Sequence, residues 1–171
     1  KDKTKLSLLK SYGINRVSFG LQTFNSDIRK FLNITAPIKD IYLTAEAIRS
    51  VGINDFAVDK IYNLPFEDEN VLLNDLYEIT TEIKPTIIQT YRFNLFNNTR
   101  LSKMLSSSSD TQYPSTPQKE YAMNKIIQEF MMKSKYNNQL FINMYSCSSG
   151  IVDTGIELSI GGNRMYSSNM V

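Results

Sequence analysis

The sequence predicts an α/β fold with a parallel sheet, and three observations carry that prediction. Strand-like runs begin near positions 16, 56 and 87. Each is followed by a segment patterned as a helix, and strand-helix alternation of this kind implies parallel strands joined by right-handed crossovers. The apolar residues of the helical segments fall on single stripes, as expected of helices that cover one face of a sheet.

Taken in order, residues 5–12 carry Leu6 and Leu9 at helical spacing and meet Gly13, a helix end with a glycine stop. Arg16-Val17-Ser18-Phe19-Gly20-Leu21-Gln22 then alternates strictly, with Val17, Phe19 and Leu21 on one face and Ser18, Gly20 and Gln22 on the other. Apolar residues facing helices and small or polar ones facing a shared interior suit a barrel or a ligand-binding sheet. Ser26 is placed to cap a short helix through Leu32. After Pro37, residues 40–51 carry Ile41, Ala45 and Ile48 on one stripe and stop at Gly52.

The second strand run, Phe56-Ala57-Val58-Asp59-Lys60-Ile61-Tyr62, is stopped by Asn63 and Pro65. Ala57, Asp59 and Ile61 share one face, whereas Phe56, Val58 and Lys60 share the other. Residues 68–83 form the clearest helix, since Leu72, Leu76, Ile79 and Ile83 recur at spacings of four, three and four before Pro85. Ile87-Ile88-Gln89-Thr90-Tyr91-Arg92 is the third strand. A serine-rich polar tract from 106 leads to Thr116-Pro117, a cap followed by a first-turn proline. The helix so started runs to about Ser134 with Met123, Ile127 and Phe130 inward; Met131-Met132 reads either as a ligand-contacting patch or as gap filler. Beyond it, 140–145 reads as a strand, 146–150 as a loop and 156–159 as a short strand before Gly161-Gly162.

Composition narrows the chemistry. A length of 171 residues suits one domain or a piece of a larger one, and a net charge of +2 gives no reason to expect a nucleic-acid partner. Neither a signal-peptide pattern nor an apolar span of about eighteen residues is present, so a soluble, cytoplasmic chain with no membrane partner is expected. One cysteine, Cys147, and no histidine cannot build a Cys/His metal site, supply several thiolates to an iron-sulfur cluster, or form a Ser-His or Cys-His pair. Chemistry here rests on a borrowed cofactor or on Asp, Glu, Lys, Arg and Tyr.

Two residues stand out as candidate ligand holders. Asp59 places a carboxylate near the C-terminal end of a strand, where open sheets bind ligands; it equally suits pairing with a neighbouring Lys or Arg, or capping a turn. Gln22, at the end of the first strand, offers a donor and an acceptor to a ligand amide or carboxylate, or serves as a satisfied rim residue. Gly161-Gly162 permits close backbone approach to a ligand or simply makes a turn.

Two motifs extend this reading. The segment Tyr12-Gly13-Ile14-Asn15-Arg16-Val17-Ser18-Phe19-Gly20-Leu21-Gln22-Thr23-Phe24-Asn25 resembles the G-x-N-R-x-S-x-G-x-Q-x-F segment of radical S-adenosylmethionine enzymes related to oxygen-independent coproporphyrinogen III oxidase. Val58-Asp59-Lys60-Ile61-Tyr62-Asn63-Leu64-Pro65 is similar to that family's D-L-I-Y-G-L-P, with Lys60 in place of an apolar residue and Asn63 in place of glycine. Gln22-Thr23-Phe24-Asn25 with Ile28-Arg29, Asn94-Leu95-Phe96 leading to Thr99-Arg100-Leu101, and Gly161-Gly162 with Met170-Val171 most resemble the anaerobic haem-degrading methyltransferase (anaerobilin synthase-like) branch.

The resemblance implies an α/β fold that is the C-terminal half of a partial parallel (β/α)6 TIM-like barrel over 1–105, with three βα units. A polar loop at 106–116 and a C-terminal helix and strand extension at 117–171 would follow. It implies S-adenosylmethionine and a [4Fe-4S] cluster as cofactors, the cluster reducing the sulfonium so that a 5′-deoxyadenosyl radical attacks a tetrapyrrole, haem or coproporphyrinogen, or a methyl donor. A donor such as flavodoxin would supply the electron. On this resemblance Asp59 accepts from the ribose hydroxyls, Gln22 holds the amino acid portion, and the backbone near Ile160 and Gly161 lies against the adenine or ribose. The family's cysteine triad is not in this chain, so the cluster ligands are expected upstream and the chain alone is expected to be inactive. A haem-carrying or haem-insertion protein of the same barrel family, and a truncated remnant without function, are the alternatives. With its upstream neighbour missing, the first strand would present an unpaired edge and promote aggregation.

Overall fold

The structure, a computed structural model, describes residues 2–106, 116–138 and 143–147. Three strands run parallel: β1 (Arg16–Gln22), β2 (Asp55–Tyr62) and β3 (Ile87–Arg92). Helix α1 (Lys3–Ser11) precedes β1, and α2 (Ser26–Phe31) with α3 (Lys39–Ser50) links it to β2. Helix α4 (Glu69–Glu78), continued by a π turn over Ile79–Ile83, links β2 to β3; α5 (Arg100–Ser106) follows β3. Thus each predicted strand is followed by its helix. Then come α6 (Pro117–Lys133), the two-residue strand β4 (Asn137–Asn138) and β5 (Met144–Ser146). The sheet order is β1-β2-β3-β5-β4, with β5 antiparallel to β3 and β4 antiparallel to β5. Among the described residues β1 therefore lies at one edge.

One face of the sheet carries the core. Leu21, Phe56, Val58 and Ile88 pack against Ile41, Ala45 and Ile48 of α3, against the stripe Leu72, Leu76, Ile79 and Ile83, and against Met123, Ile127 and Met131 of α6. Phe19 and Phe56 stack across β1 and β2 with ring centroids 6.1 Å apart. Met131 is buried in this core while Met132 is 76% exposed, so the methionine pair is a gap filler beside a surface residue. The other face is open at Ser18 and Gly20, which are exposed; Asp59 and Ile61 are half-buried on it, and Ala57, Ile87 and Gln89 are buried.

Several local expectations are corrected. The cap of α2 is Asn25, whose side chain accepts from the amides of Asp27 and Ile28 at 3.0 Å each; Ser26 is the first helical residue. Asp68 caps α4 through the Val71 amide at 2.8 Å, and the predicted 68–83 helix loosens in its last turn, where the Lys84 amide reaches Ile79 O at 2.8 Å. Both isoleucines of that turn stay buried. Thr116 caps α6 as expected, through the Lys119 amide at 3.2 Å, with Pro117 in the first turn. Ser146, expected in a loop, is instead a strand residue paired with Ile87. Residues 140–142 of the predicted strand, most of the 106–116 polar tract, the 156–159 strand, Ile160, Gly161-Gly162 and Met170-Val171 lie outside the described residues.

Candidate cofactor site

The polar face is organised by a bulge at the end of β1. Pairing with β2 runs from Arg16↔Asp55 to Gly20↔Asp59, then skips a residue to Gln22↔Lys60, and Gln22 takes a left-handed φ of 65°. That turn folds the Gln22 side chain back over Gly20, so that a Cβ built on Gly20 would meet Gln22 Nε2 at 2.4 Å. Only a residue without a side chain leaves the amide in this place. Because Gly20 is the partner of Asp59, the bulge delivers the Gln22 amide into the row of Asp59 on the same face of the sheet. Gln22 Oε1 is buried and accepts no hydrogen bond among the described residues.

The row continues across β3. Asp59 is paired with Gln89, whose side chain is 9% exposed, and in a parallel pair these side chains share a face. The Tyr91 hydroxyl, two residues along on that face, donates to Gln89 Oε1 at 2.7 Å. An amide, a carboxylate and a second amide therefore stand side by side across three parallel strands, at the C-terminal end of β1 and in the middle of β2 and β3.

The opposite face explains how this row is held. Lys60 is completely buried, and its Nζ lies 2.6 Å from Glu67 Oε1 and 2.9 Å from Asp75 Oδ2 while donating to Ile61 O at 2.7 Å. Each carboxylate has a second task. Glu67 Oε2 accepts from the Leu64 amide at 3.0 Å, in the loop after β2, and Asp75 Oδ1 accepts from the Phe24 amide at 2.8 Å, in the loop after β1. Buried Arg29 adds donations to Leu21 O and Thr23 O at 2.9 Å each and to Ala36 O at 2.6 Å. Burial lowers the pKa of its guanidinium, opposed by the charge of Asp75. One cation thus ties together the two loops that leave the site strands. Asn63 turns the β2 loop with φ 62°, a conformation asparagine tolerates better than other residues with a side chain.

The opposite end of the sheet is a structural clamp. Arg16 Nη2 lies 2.6 Å from Asp55 Oδ2, and the Thr86 hydroxyl donates to the same carboxylate. A parallel sheet locked at its N-terminal edge and polar further along its strands follows the division of labour seen in α/β barrels.

The residue set accommodates some groups and not others. Gln22, Asp59 and Gln89 offer acceptors and donors to an organic ligand. Among the described residues there is no cluster of three or more His, Cys, Asp or Glu side chains able to hold a metal ion, and the single cysteine, Cys147, is exposed. An iron-sulfur cluster does not fit these residues. No described helix is long and apolar enough to cross a membrane.

Residues 2–76 match the Radical SAM superfamily. The heme chaperone HemW of Buchnera aphidicola subsp. Schizaphis graminum is 38% identical over 90 residues, which are 53% of this chain and 23% of that protein. The oxygen-independent coproporphyrinogen III oxidase of Salmonella typhimurium is 27% identical over 142 residues, 81% of this chain and 29% of that enzyme. The chain is therefore similar to the radical SAM superfamily over residues 2–76 and, at lower identity over more of its length, to coproporphyrinogen III oxidases. Its fold agrees: the solved structure of coproporphyrinogen III oxidase (HemN) from Escherichia coli, described as a radical SAM enzyme, superposes with a TM-score of 0.72 at 20% identity, over 85% of this chain and 32% of that one. The three βα units thus share the fold of part of that structure's TIM-like barrel. The chain spans less than a third of the length of each of these relatives.

The two residues singled out by alternation, Gln22 and Asp59, are brought together on one face. Ile160 and Gly161, the other two, lie outside the described residues. Sequence reasoning missed Gln89 and Tyr91, although the alternation of the third strand puts Ile87, Gln89 and Tyr91 on one face. It also missed the partners of Lys60, for which the signal was the placement of a cation on a face otherwise apolar.

Proposed function

We propose that the protein carrying this chain is an S-adenosylmethionine-dependent enzyme acting on a tetrapyrrole, haem or coproporphyrinogen. The single observation that carries this reading is the meeting of Gln22 and Asp59 on the open face of a sheet that shares the fold of part of a radical SAM barrel, with the buried Gln22 Oε1 still lacking a donor among the described residues. The ammonium group of S-adenosylmethionine is such a donor, and Asp59 accepts from its ribose hydroxyls. From the family resemblance alone we also assign Ile160 and Gly161 to the adenine or ribose. When bound, S-adenosylmethionine supplies the reactive carbon and sulfonium chemistry. The chain's own part is to orient that molecule by Gln22 and Asp59 and to keep both side chains in register through the Lys60 ion cluster behind them. The cluster cysteines belong to another part of the protein, the electron comes from a donor such as flavodoxin, and this stretch by itself is inactive.

The tetrapyrrole assignment draws on relatives named both for coproporphyrinogen III oxidation and for heme chaperoning. Within it, the segments around Gln22-Thr23-Phe24-Asn25 and Asn94-Leu95-Phe96 favour haem ring opening with methyl transfer. A second reading, a heme carrier without oxidase activity, is supported by the heme chaperone HemW from Buchnera aphidicola at 38% identity. Anaerobic reconstitution of the complete protein separates the two. Cleavage of S-adenosylmethionine that depends on haem or coproporphyrinogen supports the enzyme; bound haem with an intact cluster and no cleavage supports the carrier.

A further inference from the structure

We propose that Gln89 is a third side chain of the nucleoside site, donating to a ribose hydroxyl that Asp59 accepts from, and that Tyr91 is the positioning residue that aims it. This rests on the reading that the open face binds S-adenosylmethionine. Gln89 is paired directly with Asp59, so its amide and the carboxylate are neighbours on one face. Tyr91 donates to Gln89 Oε1 at 2.7 Å, and in this orientation the two N–H donors of Nε2 lie away from that bond. Those donors reach no acceptor among the described residues, and the nitrogen, unlike Gln22 Oε1, is not sealed from solvent even though the residue as a whole is nine-tenths buried. A polar side chain held at its oxygen, with its nitrogen reachable from the sheet face, can present that nitrogen to a ligand oxygen.

Hydroxyl chemistry makes the match. A ribose hydroxyl that donates its proton to Asp59 keeps two lone pairs, and a carboxylate beside it offers no donor to use them. Gln89 supplies that donor from the adjacent strand. The pair Asp59-Gln89 thus reads a hydroxyl as both donor and acceptor, a requirement that a deoxyribose does not meet. Such paired readout leaves buried groups unmatched when the hydroxyl is missing and gives strong discrimination.

The test uses the complete protein with its cluster in place and titrates it with S-adenosylhomocysteine and with the 2′-deoxy and 3′-deoxy analogues. For wild type, Gln89→Leu and Tyr91→Phe, dissociation constants and unfolding midpoints are both measured. The expected result is that Gln89→Leu weakens S-adenosylhomocysteine by about tenfold, and Tyr91→Phe by about threefold, while one of the deoxy analogues binds wild type and Gln89→Leu within about twofold. Equal losses for all three ligands, or no loss for S-adenosylhomocysteine, overturn the role of Gln89. A wild type that does not bind S-adenosylhomocysteine at all overturns the cofactor reading beneath it. Tyr91→Phe keeps the ring and the strand, so a loss of affinity with an unchanged midpoint separates aiming of the amide from damage to the sheet.

Discussion

Asp59 and Lys60 are consecutive residues of one strand, and they show two uses of a charge in a sheet. Lys60 points into the helical layer, where it is wholly buried and meets two carboxylates that are themselves hydrogen-bonded to the loops after β1 and β2. Asp59 points to the open face, half-buried, between the Gln22 and Gln89 amides. The outer charge belongs to the scaffold, and the inner polar row is left for a ligand. The comparison teaches that the two faces should fail differently: damage to the outer face unfolds or loosens the domain, and damage to the inner face costs binding while the fold survives.

The largest effect should come from the outer face. Lys60→Met leaves Glu67 and Asp75 buried without their cation, and breaking a buried pair in this way costs about 3–5 kcal/mol of stability. Denaturant unfolding measures it; a loss below ~1 kcal/mol would show the cluster to be dispensable. Adding Glu67→Gln to Lys60→Met should recover part of the loss, because one stranded charge is removed.

On the inner face, Gly20→Ala should show the reverse pattern. The new Cβ occupies the place of Gln22 Nε2, a flexible side-chain end that can move, so stability should change by less than about 1 kcal/mol. Displacing the amide from the row of Asp59 should nonetheless weaken S-adenosylmethionine about tenfold in a titration of the complete protein. Destabilisation with intact affinity would reverse the assignment of the two faces.

The smallest effect belongs to the N-terminal end of the sheet. Arg16 and Asp55 are partly exposed, at 29% and 37%, and such pairs contribute about 0–1 kcal/mol. Arg16→Ala should accordingly shift the unfolding midpoint slightly and leave cofactor affinity unchanged. A change in affinity would mean that this clamp reaches the far end of the strands.

The βα units were legible because period two and period 3.6 are written directly into the chain, and Asp59 stood out because a carboxylate broke an apolar run. Gln22 was legible as a face residue, but its placement beside Asp59 depends on the bulge at Gly20 and Gln22, and a bulge shifts register without a pattern of its own. The Lys60 cluster was hidden for a different reason. Its carboxylates come from the next loop and helix, so only the folded chain brings them to one nitrogen. Gln89 lay within a recognised strand, yet its significance comes from the register with Asp59, which sequence alternation narrows only to a face.

Titration of S-adenosylmethionine into the complete protein and its Asp59→Asn variant tests the assignment of the open face most directly. Loss of the charge-assisted hydrogen bonds should weaken binding by about 1–3 kcal/mol, with the unfolding midpoint unchanged. Equal affinity of the variant and the wild type would contradict the account.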